Sequence, residues 1–142
     1  MLRKPVSIIA GATLSAALAL GAQSAVAQSK PPLRDVSEID NALLMIAIAD
    51  EVRNKCDRIE ARMFTAWTTI NALESKAKRM GYTDEEIEDY VTSKDEKKRM
   101  RRRGEAVLKA RGVALDNDAD YCTFGREEIA RGSQIGVLLK ER

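Results

Sequence analysis

Apolar residues recur in blocks at the helical period, separated by Gly, Pro or cap-forming residues. Ala42-Leu43-Leu44-Met45-Ile46-Ala47-Ile48-Ala49 is apolar on every side of a helix, which predicts a central, buried element. Ser37, with Asp40 three residues on, reads as its N-cap. Downstream, Ile59, Met63, Ala66, Ile70, Leu73, Ala77 and Met80 step by four and three residues, a stripe that predicts a packing face. Phe64 and Trp67 flank it. No Gly or Pro lies between Ser37 and Met80, so one long helix is open. Two are preferred, because Asp57 with Glu60 repeats the cap-plus-acid spacing and Cys56 needs freedom to reach a partner.

Gly81 ends the second helix. Thr83-Asp84-Glu85-Glu86 is a capping box, opening a short helix that should bury Ile87, Tyr90 and Val91. Ser93-Lys94-Asp95-Glu96 is a second box. The helix after it turns Met100, Gly104, Val107 and Leu108 inward, with Gly104 set for close approach of another helix. Gly112 ends it, and Val113 supplies the apolar contact of a Schellman turn. Asp116-Asn117-Asp118 forms a turn with capping potential. A fifth helix runs from about Ala119 to Arg131, with Cys122 in its first turns. Gly132 to Gly136 break the pattern, and Val137-Leu138-Leu139 form a short packed tail. No segment alternates at period two, so no strands are expected. The predicted fold class is all-α, a compact bundle of about five helices stapled by one disulfide.

The first 27 residues change the picture of the compartment. Arg3 and Lys4 precede an uncharged apolar stretch from Val6 to Leu20, too short to span a bilayer. Ala25-Val26-Ala27 supplies the small-x-small cleavage pattern. The expected organisation is a cleaved signal peptide over 1–27, an extended leader over 28–36 with Pro31-Pro32, and a helical domain over 37–142. Cleavage removes two of the 24 basic side chains and no acid, leaving 22 against 22. That balance leaves no global basic field, and nucleic acid is not an expected partner. The expected location is the periplasm.

Cys56 and Cys122 are the only cysteines. In an oxidising compartment an even pair implies a disulfide, here closing a loop of about 66 residues. No His occurs, which excludes His-dependent triads, His-ligated zinc and His-ligated haem. No cofactor or metal is expected. Asp116, Asp118 and Asp120 lack the Gly and closing Glu of a calcium loop. Met45, Met63, Met80 and Met100 read as core filling rather than a thioether copper site. No constellation of catalytic side chains emerges, so the expectation is a protein that is not an enzyme.

Lys97, Lys98, Arg99, Arg101, Arg102 and Arg103 form the one strong charge run. Outside the cytoplasm it suits an acidic protein partner or anionic lipid headgroups. The plainer reading is a solvated face balanced by Asp84, Glu85, Glu86, Glu88 and Asp89.

Several motifs occur together: Ile48-Ala49-Asp50-Glu51-Val52-Arg53, Cys56-Asp57, Ala61-Arg62-Met63, Gly81-Tyr82-Thr83-Asp84-Glu85-Glu86-Ile87, Tyr90-Val91, Tyr121-Cys122, Phe124-Gly125-Arg126, and Glu128 through Leu139. This order resembles an uncharacterised family of small secreted alphaproteobacterial proteins, a domain of unknown function. The resemblance brings no activity and no site residues. The resemblance associates some genes of that family with clusters for the proton-pumping NADH:quinone oxidoreductase, respiratory complex I. The resemblance therefore implies a periplasmic accessory or assembly role, with a membrane protein complex as partner. The expected function is a binding or accessory module. The alternatives are a small holdase chaperone and a hydrolase working through carboxylates.

Overall fold

The computed structural model describes residues 29–142. The expected signal peptide and Gln28 lie outside the described residues. The element richest in apolar residues, α1 (Ser37–Lys55), runs through the centre. It packs on α4 (Lys94–Ala110), α5 (Asp118–Arg131), α2 (Met63–Arg79) and the strand β1 (Ile59–Ala61). A helix apolar all round can bury all its faces only when neighbours cover each of them. A short α3 (Asp84–Thr92) bridges α2 and α4.

The main core gathers Leu44, Ile48 and Val52 of α1 with Ile59, Leu108, Tyr121, Phe124, Leu138 and Leu139. The Cys56–Cys122 disulfide lies inside it, joining the end of α1 to the second turn of α5. A smaller cluster holds Leu33, Val36, Ile39, Ala77 and Tyr82. The leader is thus not simply extended: Leu33–Asp35 form a 3-10 turn that buries Leu33, and Val36 after it is buried as well.

Several local expectations need correction. The Ser37 hydroxyl caps nothing: Ser37 is the first helical residue and Val36 occupies the cap position without a side-chain bond. Asp57 does not open α2. The chain instead turns after Lys55 and runs through β1, and α2 starts six residues later with no side-chain cap. Strands do occur. β1 pairs antiparallel with β2 (Leu139–Glu141), Ile59 opposite Glu141, Glu60 opposite Lys140 and Ala61 opposite Leu139. Three residues are too few for an alternating pattern to register. The pair follows from Ile59 and Leu139 being driven into the core while Glu60 and Lys140 meet outside at 2.9 Å.

Helix ends are otherwise as the residue types dictate. Thr83 and Glu86 form the reciprocal box. Ser93 accepts from the Glu96 N–H, but the Glu96 carboxylate turns to Arg34 and Arg99 instead of completing the box. Gly81 and Gly112 adopt positive φ, and the N–H groups of Tyr82 and Val113 reach back to Ala77 and Leu108, the Schellman pattern. Asn117 caps α5. Gly104 lies against α1: a Cβ there would meet Ile48 Cγ1 at 3.4 Å.

Candidate functional site

The surface departs most from expectation on α2. Its predicted packing stripe splits in two. Ala77 is buried and Ala66 and Leu73 are partly buried, so this side of the helix faces the body. Met63 is 69% exposed, Phe64 76%, Trp67 60% and Ile70 45%. Met80 and, on α3, Val91 are also exposed, so neither completes the core as expected. The physical reason is occupancy. The space around α1 is filled by α4, α5 and the β pair, and α2 can bury only one narrow face. The period shows that a side is apolar, not which neighbour covers it.

The outward face of α2 is unusual in composition as well as exposure. No charged residue occurs from Met63 to Leu73. The rings of Phe64 and Trp67 pack together, centroids 6.1 Å apart. The Thr68 hydroxyl donates to the carbonyls of Phe64 and Thr65 at 3.1 and 3.0 Å, and that of Thr69 to the Thr65 carbonyl at 2.8 Å. Those hydroxyls satisfy themselves within the helix and leave little that requires water. At its start α2 abuts the 3-10 turn Gly136–Leu138, with the Arg62 N–H donating to Leu138 O at 2.8 Å, and that turn leaves Val137 exposed. Four large apolar side chains at these exposures present about 500 Å² per molecule, the size of the largest patch on a typical monomer, which is often functional.

The second feature is the basic run on α4, which the fold divides by face. Arg99 and Arg103, four residues apart, turn inward and both hold the buried Asp40 carboxylate of α1. The Tyr90 hydroxyl donates to the same carboxylate, and Arg103 also reaches Asn41 at 2.9 Å. Burial alone disfavours the Asp40 charge. The hydrogen bonds from Arg99 and Tyr90 and the charges of Arg99 and Arg103 together outweigh it, holding the carboxyl below its ordinary range. Burial first, then the bond to Asp40, pushes the Tyr90 phenol up to about 12. Lys97, Lys98, Arg101 and Arg102 point outward. The sequence placed six cations in one contact surface; the fold assigns two of them to this internal lock.

Beside that helix runs a groove of about 660 Å³ between α1 and α4, lined also by Tyr121. Ala47, Ile48, Met100, Gly104 and Leu108 form its floor, with Asp50 and Glu51 on the α1 rim and Lys97 and Arg101 on the α4 rim. Asp50 is engaged by Arg53.

Two buried acids escaped sequence reasoning. Asp40 looked like a first-turn acid, and the only hint was its place two residues before the all-apolar block. Glu128 is buried and held by Arg131, Ser133 and Arg111, the last at 2.9 Å, which pins the end of α5 to the C-terminal turn. Its only signal is the helical step from Tyr121 and Phe124, seven and four residues before it on the same helix. The disulfide, by contrast, pairs the two cysteines the sequence pointed to.

No curated protein and no solved structure matches this chain. One family model does, over residues 31–140, which takes in both 3-10 turns and all five α-helices of the described residues and nearly all of the β pair. The chain belongs to that family, described as a family of unknown function (DUF5333).

Proposed function

We propose that this protein is a non-enzymatic binding module of the periplasm that docks through α2 on a protein partner at a membrane assembly. Respiratory complex I, or an intermediate in its assembly, is the assembly that the family resemblance implies. The supporting observation is the outward face of α2, where Met63, Phe64, Trp67 and Ile70 stay in water although the same fold buries smaller residues. Aromatic and Met side chains on an uncharged face are the composition of an interface core. Trp in such a face is a frequent energetic anchor, worth about 2 kcal/mol or more on truncation.

The test is affinity purification of the tagged protein from detergent-solubilised membranes. Complex I subunits should co-purify with the wild type and be lost with Trp67→Glu, while thermal unfolding of the variant stays close to wild type because the side chain is outside the core. Retention of those subunits by a folded Trp67→Glu protein overturns the α2 reading. The same exposed face supports a second reading, a holdase that shields apolar segments of unfolded clients. Suppression of client aggregation that depends on Trp67, without co-purifying membrane subunits, would favour it.

A further inference from the structure

Most basic side chains in the described residues hold a carboxylate. Lys30 holds Glu86, Lys76 holds Glu38, Lys78 holds Glu74 and Asp84, and Arg111 and Arg131 hold Glu128. The first two turns of α4 are different. Lys94, Lys97, Lys98, Arg101 and Arg102 are all exposed, and none pairs with a carboxylate among the described residues. At the helical rise these five cations lie within about 12 Å of axis. At the helical period they share one face, opposite Arg99 and Arg103. Of the neighbouring acids, Asp84 and Glu86 are engaged by Lys78 and Lys30, and Glu96 by Arg34 and Arg99, while Glu85, Glu88, Asp89 and Asp95 are exposed and hold no cation among the described residues.

The make-up of the face selects the class of partner. No aromatic or large apolar side chain is exposed among residues 94–102. Protein interfaces are built around such anchors and are depleted in Lys. A plane of anionic headgroups needs no anchor, and rewards cations held close together on one surface. We propose that the outward face of α4 is a contact surface for anionic phospholipid headgroups, which holds the protein against a membrane. This assignment does not depend on the docking role of α2.

Sedimentation of the purified protein with vesicles of phosphatidylcholine, with or without phosphatidylglycerol, tests it. Binding should require phosphatidylglycerol, weaken as salt is added, and fall about fivefold for each cation neutralised. The variant carrying Lys97→Gln, Lys98→Gln, Arg101→Gln and Arg102→Gln should lose binding by two to three orders of magnitude on that scale, with unchanged circular dichroism. A control carrying Arg58→Gln, Arg62→Gln and Arg79→Gln, exposed cations elsewhere, should bind as the wild type does. Trp67→Glu should also bind normally, which separates this result from failure of the α2 reading. Absence of sedimentation with phosphatidylglycerol vesicles at low salt overturns the proposal, even if the face captures an acidic protein. Equal binding to phosphatidylcholine alone, or an equal loss in the control variant, overturns it too.

Discussion

Asp40 is the residue whose environment departs most from its type. It is buried on α1, yet it carries a charge held by two guanidinium groups and a phenol that come from α3 and α4. A paired buried charge of this kind orients its neighbours more than it stabilises them, while removing one partner leaves the others without theirs. Arg99 and Arg103 keep partial access to water, so the loss in Asp40→Asn should be moderate, about 1–3 kcal/mol at neutral pH. The sign of the pH dependence follows from the lowered carboxyl. Its contribution is complete above the ordinary carboxylate value and is lost as pH falls through the lower folded value. The gap in urea midpoint between wild type and Asp40→Asn should therefore be widest near neutrality and narrow in acid, below about pH 4. A constant gap across that range would show that Asp40 acts by packing and not by charge.

At the scale of elements, two glycines set how closely helices approach, and they differ. A Cβ on Gly125 of α5 would fall 2.4 Å from Ile59 Cδ1 and 2.7 Å from Val52 Cγ1, both fully enclosed side chains. On Gly104 of α4 it would meet Ile48 Cγ1 at 3.4 Å, beside the open groove. Replacing a helix-interior Gly by Ala gains about 1 kcal/mol of propensity when space allows. Overpacking costs about 1–3 kcal/mol when it does not. Gly104→Ala should therefore match or exceed wild-type stability, and Gly125→Ala should fall about 1–2 kcal/mol below it, as read from chemical denaturation. The reverse order would mean that α5, not α4, has room to move on α1. The two faces of α2 belong to this scale as well. Ala66, Leu73 and Ala77 meet the body while Met63, Phe64, Trp67 and Ile70 meet water, so the helix contributes little to the core and is available for contact outside it.

For the whole molecule the staple matters most. The Cys56–Cys122 bond closes a loop of 66 residues that contains β1, α2, α3 and α4. Loss of chain entropy in the unfolded state makes such a loop worth about 4 kcal/mol, a large part of the roughly 5–15 kcal/mol that stabilises a small domain. Both sulfurs are buried in the main core, so a reductant reaches them only when the structure opens. Cys56→Ser should lower the melting temperature by about 10 °C or more, at about 4–8 °C per kcal/mol. A shift of a degree or two would place the stability of the fold in its packing instead. The C-terminal segment reinforces the closure: the Arg142 N–H donates to Arg58 O at 2.9 Å and Leu139 is buried, so the last residues cover the end of the core near the disulfide.

Local chemistry was legible in the sequence where the cause is local. Gly81, Gly112 and Gly132 end helices because a left-handed residue is needed there, and Thr83 and Asn117 start them because a side-chain oxygen can meet a free N–H. The all-apolar block of α1 determines a central helix, and two cysteines without competitors determine one staple. The inward row Met100, Gly104, Val107 and Leu108 also holds, fully buried at Gly104 and Leu108 and partly at the other two. What depends on partners distant in sequence was decided only by the tertiary structure. The β pair exists because residues 59–61 and 139–141 meet across the core, a match no local pattern contains. The apolar stripe of α2 determines a helix with an oily side, but only the crowding around α1 decides that Trp67 and Phe64 stay outside. Charge in a run determines a polar helix, but only the position of Asp40 decides that Arg99 and Arg103 turn inward while Lys97, Lys98, Arg101 and Arg102 face water. Periodicity fixes which residues share a face, whereas burial depends on which other surface arrives to cover it.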